Sequence, residues 1–254
     1  MQSHAMWAHR LRDVGRYAEA LPLLEASMAG AARAGAVGDV AGIEHRLAQL
    51  FQQLGQPDRA LHLLAHDRSF LPPRLQTVRL MHRADALHEL GRDALAPIRE
   101  ALALSPDPQD IYHRMASLFA TRVVPPDEGE AMATSLAAWA SARERGGLAL
   151  AAHVRAAACA LRQGAVSRAR PHAEAALHLA RDRWPDSFYL PELWLVAGHV
   201  EAAQDRHEPA LALWRQGLHW VRQVAQVPEP FRDSFLQRNP VNRELLRLMG
   251  PHGG

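Results

Sequence analysis

Apolar residues recur three and four positions apart along most of the chain, broken at intervals by a glycine or an aspartate. Trp7, Leu11 and Val14 precede Gly15, and Tyr17, Leu21 and Leu24 follow it, so two amphipathic helices facing each other across a turn are expected. The same punctuation returns at Gly55, Gly91, Asp127, Gly164 and Asp205, at spacings of 36 to 41 residues. A repeat of that length predicts a stack of helical hairpins, six in all. Close approach of two helices needs small side chains. Seven residues before the turns stand Ala8, Ala48, Ala84, Ala157 and Gly198, with Ala116 serving the fourth unit when it is aligned through Tyr112. Five residues after them stand Ala20, Ala60, Ala169 and Ala210. Pro22, Pro97 and Pro171 fall five to seven residues past their turns and are expected near the first turn of each second helix, where a missing N–H costs least.

Composition sharpens the class. Alanine (47) and leucine (35) dominate the 254 residues, whereas isoleucine (3) and threonine (3) are scarce, which favours helix over sheet. All 29 basic residues are arginine, balanced by 27 acids to a formal net charge of +2. Arginine suits phosphate and guanine, but the basic pairs have acids beside them and form no concentrated stripe, which argues against nucleic acid as partner. No phosphate loop of the G-x-x-x-x-G-K-[ST] kind occurs, and without lysine none is possible. No apolar run of transmembrane length or signal peptide is apparent, and Cys159 is the single cysteine, so a cytoplasmic protein is expected.

The large, small, aromatic, glycine-turn and small-x-x-x-large succession over residues 2–226 resembles the tetratricopeptide repeat (TPR). That resemblance implies an all-α, right-handed α-solenoid of about six antiparallel hairpins and a protein or peptide partner. Three residues depart from the pattern: Glu44 stands where tryptophan is expected, and Ala160 and Glu201 where an aromatic is expected. After residue 226 the texture changes, and residues 227–250 are expected to form C-terminal capping helices, with 251–254 a disordered tail. The wording VPEPFRDSFLQRNPVNRELLRL is similar to the ending of TPR halves in bacterial multidomain transcriptional and signalling ATPase regulators. It implies a regulatory or sensor portion whose ATPase and DNA-binding parts would lie upstream; a stand-alone structural adaptor of a cytosolic assembly is the alternative.

In a TPR superhelix the first helices line the concave groove, and the resemblance implies that His9, Arg12, Asp13, His45, Gln49, Gln52, Gln53, Asp85, His88, Glu89, Arg162 and His199 face it. Such a lining, polar and mixed in charge, suits a peptide. The lysines and asparagines of the chaperone-clamping TPR proteins are absent. No catalytic residue, cofactor site or metal site is expected: the only i, i+4 histidine pair, His62/His66, has no third ligand, and Cys159 lies among small residues of a packed helix. Trp194 and Trp214 are expected in the core, whereas Trp184-Pro185 and Phe188-Tyr189 form a candidate exposed aromatic docking cluster.

Overall fold

A computed structural model describes residues 2–66, 69–182 and 188–250. Among the described residues it is all-α. Six pairs of helices follow one another: α1 (Gln2–Asp13) and α2 (Tyr17–Arg33), α3 (Val37–Gln53) and α4 (Pro57–Leu63), α5 (Pro73–Glu89) and α6 (Leu95–Leu104), α7 (Ile111–Ala120) and α8 (Pro126–Ser141), α9 (Gly146–Arg162) and α10 (Val166–Asp182), α11 (Pro191–Ala202) and α12 (His207–His219). A π-helical turn at Trp220–Val224, a 3₁₀ turn at Glu229–Phe231, α13 (Arg232–Gln237) and α14 (Pro240–Met249) complete the chain.

The turns form where the sequence punctuates. Gly15, Gly55, Gly91, Gly164 and Asp205 all have positive φ, between 59° and 81°. At each, the N–H of the next residue reaches back to the carbonyl five residues before it: Arg16 to Leu11, Gln56 to Phe51, Arg92 to Leu87, Ala165 to Ala160 and Arg206 to Glu201, at 2.8–3.1 Å. This Schellman turn satisfies carbonyls that the helix end would otherwise orphan, and its left-handed residue selects glycine or, at Asp205, a short polar side chain. The small residues lie where the paired helices touch. Ala8, Ala20, Ala48, Ala60, Ala84, Ala116, Ala157, Ala169 and Ala210 are all buried. A Cβ on Gly198 would stand 2.2 Å from Nε1 of Trp214, so the indole fits only over a glycine.

Four expectations are corrected in detail. Asp127 lies inside the first turn of α8, because Pro125 and Pro126 bring the turn forward to 121–125 and start the helix at Pro126. Pro22 and Pro171 sit within α2 and α10 rather than in their first turns, each removing one intrahelical bond. Trp7 is not buried against α2: it is 56% exposed, whereas Leu11 is buried. Phe188 and Tyr189 are buried, with the Tyr189 hydroxyl donating to Oδ1 of Asn242 at 2.6 Å and its ring edge-on to Trp220. They offer no docking surface; Trp184 and Pro185 lie outside the described residues.

The chain forms two compact units. The first comprises residues 1–119 and 225–239, the second 120–224 and 240–254, with the tail at 251–254 outside the described residues. The fourth helix pair thus falls on the division. In the first unit α1, α3 and α5 pack side by side with α2, α4 and α6 as their hairpin partners; in the second α8 and α10 flank α9, and α14 packs on α11 and α12. The ending read as one cap is shared out: residues 225–239 serve the first unit and α14 the second.

That returning segment is bound to the tips of the first two hairpins. Gln226 exchanges two backbone hydrogen bonds, one to the Gly15 carbonyl and one from the Ala18 N–H, both 2.8 Å. The Ser234 hydroxyl donates to the Leu54 carbonyl at 2.7 Å and the Asn239 amide to the Gln53 carbonyl at 2.9 Å, satisfying carbonyls at the buried C-terminal end of α3. Phe235 packs against Tyr17, and Phe231 against Phe51, with the Arg59 guanidinium over both phenylalanines of the latter pair.

Candidate functional site

The first helices of the first unit carry most of the expected groove residues, and the structure brings them together as a polar ladder. Arg12, among the largest fully buried side chains, donates from Nε (3.2 Å) and Nη2 (2.5 Å) to Oδ1 of Asp13 and from Nη1 to Oε1 of Gln49. His9 Nε2 approaches Oδ2 of Asp13 at 3.5 Å. On the next rung Gln52 donates to Asp85 at 3.1 Å. The ladder therefore links α1 to α3 and α3 to α5, one turn below the hairpin tips.

Its accessibility differs from the expectation of an open polar groove. Arg12, Asp13, Gln49, Gln52 and Gln53 are buried; His9, His45, Asp85 and Glu89 are half-buried, and His88 is exposed. Tight packing of α1, α3 and α5 turns the inner positions into a polar core, leaving the outer ones on the surface. Arg162 and His199 belong to the second unit. Arg162 is exposed and donates to the Thr121 carbonyl at 2.8 Å, while His199 lies edge-on to Trp214.

Four further residues, Glu44, Arg79, His66 and His82, were not among the groove positions expected from sequence. Glu44 is buried and ion-paired with the buried Arg79 of α5, and the ring of His66 lies 3.8 Å from its carboxylate. Its departure from the repeat pattern was the available signal, since a buried acid requires a partner. His82, also buried, stacks on His45 with centroids 5.8 Å apart and meets Phe119 edge-on.

Burial lowers both imidazoles. His82 is held at about 4, where burial and the charges of Arg12, His9 and Arg46 outweigh the favourable carboxylate of Asp85. Its Nδ1 has no hydrogen-bond partner among the described residues. His45 is lowered well below 6.5 by burial first, then by His82 and Arg46. Both are therefore neutral near pH 7. Because the unfolded histidine binds its proton near 6.5 and the folded one only near 4, stability contributed by neutral His82 is complete above pH 6.5 and is lost as the pH falls toward 4. The loss from His82 alone should approach roughly 3 kcal/mol. Urea unfolding at pH 7 and pH 4.5 checks it: His82→Phe should flatten the decline, and an unchanged slope in that variant would refute the assignment.

No protein-family model matches the chain, and no curated protein matches it. Among solved structures, the chain is similar to a tetratricopeptide repeat protein from Parabacteroides merdae. Identity is 16%, the alignment covers 94% of this chain and 98% of that one, and the TM-score is 0.35. The architecture rests on the hairpins themselves, independently of that likeness. Among the described residues no helix is long and apolar enough to cross a membrane.

The second unit repeats the device of buried charge. Glu192, on α11, receives two donors from Arg155 and one from Arg122, tying α11 to α9 and to the turn before α8. The Cys159 thiol is buried and lies against the Thr121 carbonyl and the Arg162 guanidinium.

Proposed function

We propose that the chain is a non-catalytic TPR-type scaffold that recognises a protein or peptide through the α1–α3–α5 face of its first unit. The observation that carries this reading is the polar ladder with surface-accessible groups at its margin. Buried Arg12, Asp13 and Gln49 join α1 to α3, and buried Gln52 joins α3 to Asp85 of α5, while His9, His45, His88 and Glu89 present donors and acceptors beside them. Such pre-ordered polar groups bind an extended segment without ordering their own helices first. A regulatory place in a bacterial cytoplasmic signalling or transcription-control system is the finer part of the proposal, and it rests on the similarity of the ending at residues 227–248.

The test uses a phage-displayed library of random dodecapeptides selected on the full chain. Enriched peptides should protect backbone amides of α1, α3 and α5 from hydrogen exchange. Protection confined to α8–α12 would move recognition to the second unit, and a library that yields no binder would remove the peptide reading.

A further inference from the structure

A pair of histidines in the second unit stands outside the proposed recognition face. His153 on α9 and His172 on α10 come from opposite arms of one hairpin, and their Nδ1 atoms face each other at 2.9 Å with ring centroids 5.2 Å apart. We propose that these two imidazoles form a binding site for a divalent transition metal of the Cu²⁺ or Ni²⁺ class.

The geometry selects that class. Metal–imidazole bonds of about 2.0–2.1 Å to two nitrogens 2.9 Å apart subtend an angle of roughly 90°. This is the cis angle of tetragonal and octahedral coordination, which Cu²⁺ and Ni²⁺ adopt with nitrogen and oxygen ligands, and it is narrow for tetrahedral Zn²⁺. Both rings are half-buried, so the hairpin holds them while solvent reaches them. Burial first, and then the neighbouring His172, lowers His153 to about 4, and burial lowers His172, so both rings are neutral at pH 7; the one proton that the two Nδ1 atoms share in their hydrogen bond would pass to Nε2 of its ring when a metal takes its place.

The surroundings support a cation. The Thr134 hydroxyl lies 3.4 Å from Nε2 of His172 and orients the ring from its other nitrogen, as outer partners of metal-bound imidazoles do. The Glu130 carboxylate acts favourably on positive charge at His172 while it binds Arg168 and Gln163. Among the described residues no group of three or more histidine, cysteine or acidic side chains is placed to hold a metal. Water would fill the other coordination positions. Sequence could not show the pair, because its members are 19 residues apart on two helices rather than one turn apart on one.

Calorimetric titration of the full chain with NiCl₂ and with CuCl₂ tests the proposal. Wild type should show one strongest site per chain, weakened at least about tenfold in His153→Ala and in His172→Phe, the latter keeping a ring in the packed position. The double variant His62→Ala/His66→Ala should retain it, and circular dichroism should report unchanged helicity in all three. A strongest site that survives both hairpin variants, or the absence of binding to wild type, would overturn the assignment.

Discussion

Replacing Arg12 with alanine is expected to lower the unfolding free energy by about 3–5 kcal/mol, the range for breaking a buried ion pair by removing one partner. Arg12 is 1% exposed and Asp13 4%. Without the guanidinium, the Asp13 carboxylate is left with His9 at 3.5 Å among the described residues, and the Gln49 side chain loses the donor that joins α1 to α3. Charge reversal would be worse, since two carboxylates would then share one buried site. Removing both members of the pair offers the contrast: Arg12→Met/Asp13→Leu leaves no uncompensated charge and should recover a large part of the loss. Urea denaturation of the three proteins checks this; an alanine variant within 1 kcal/mol of wild type would show that the ladder is not structural.

Gly55→Ala should be the next most damaging change, at roughly 3 kcal/mol from left-handed backbone strain and the hydrogen bonds it displaces. Gly55 has φ +72°, and a Cβ there would stand 2.1 Å from the Ser234 carbonyl oxygen and 3.0 Å from the Asn239 nitrogen. Those contacts are backbone, so the returning segment must shift rather than a side chain rotate. A distinctive readout separates this from general strain. The Ala18 and Gln226 amides, which bond across between the first hairpin tip and the segment, should exchange much faster in the variant. Gly35→Ala, with similar φ but open space around its Cβ, should cost only the strain and leave both amides protected. Equal effects from the two substitutions would contradict the close docking at Gly55.

Much of this architecture was legible in the chain because its markers are local. A left-handed turn residue selects glycine or aspartate, and the contact between paired helices selects alanine or glycine, so Gly15, Gly55, Gly91, Gly164 and Asp205 set the hairpin tips and Ala8, Ala48 and Gly198 the contacts. At the fourth unit the marker was misleading: a double proline, not Asp127, starts α8. What depends on distant partners was not legible. Phe231 and Phe235 show an apolar face, but nothing local says that they meet Phe51 and Tyr17, 180 and 218 positions earlier.

The face carrying the candidate site was likewise easier to read than its depth. Helical position aligns Arg12, Gln49, Gln52 and Asp85, yet the distance between α1, α3 and α5 decides whether such residues meet solvent or one another. Here Arg12 meets Gln49 and Gln52 meets Asp85. The consequence is practical: Arg12 is a poor probe of recognition, because changing it unfolds the face that would be tested. His88 and Glu89, at the outer end of α5, are the better probes.

Calorimetric titration of a library-selected peptide into wild-type chain and into His88→Ala/Glu89→Arg therefore bears most directly on recognition by the first unit. The account predicts at least about tenfold weaker binding, the equivalent of 1.4 kcal/mol, with an unchanged urea midpoint. Equal affinity for the two proteins would contradict it.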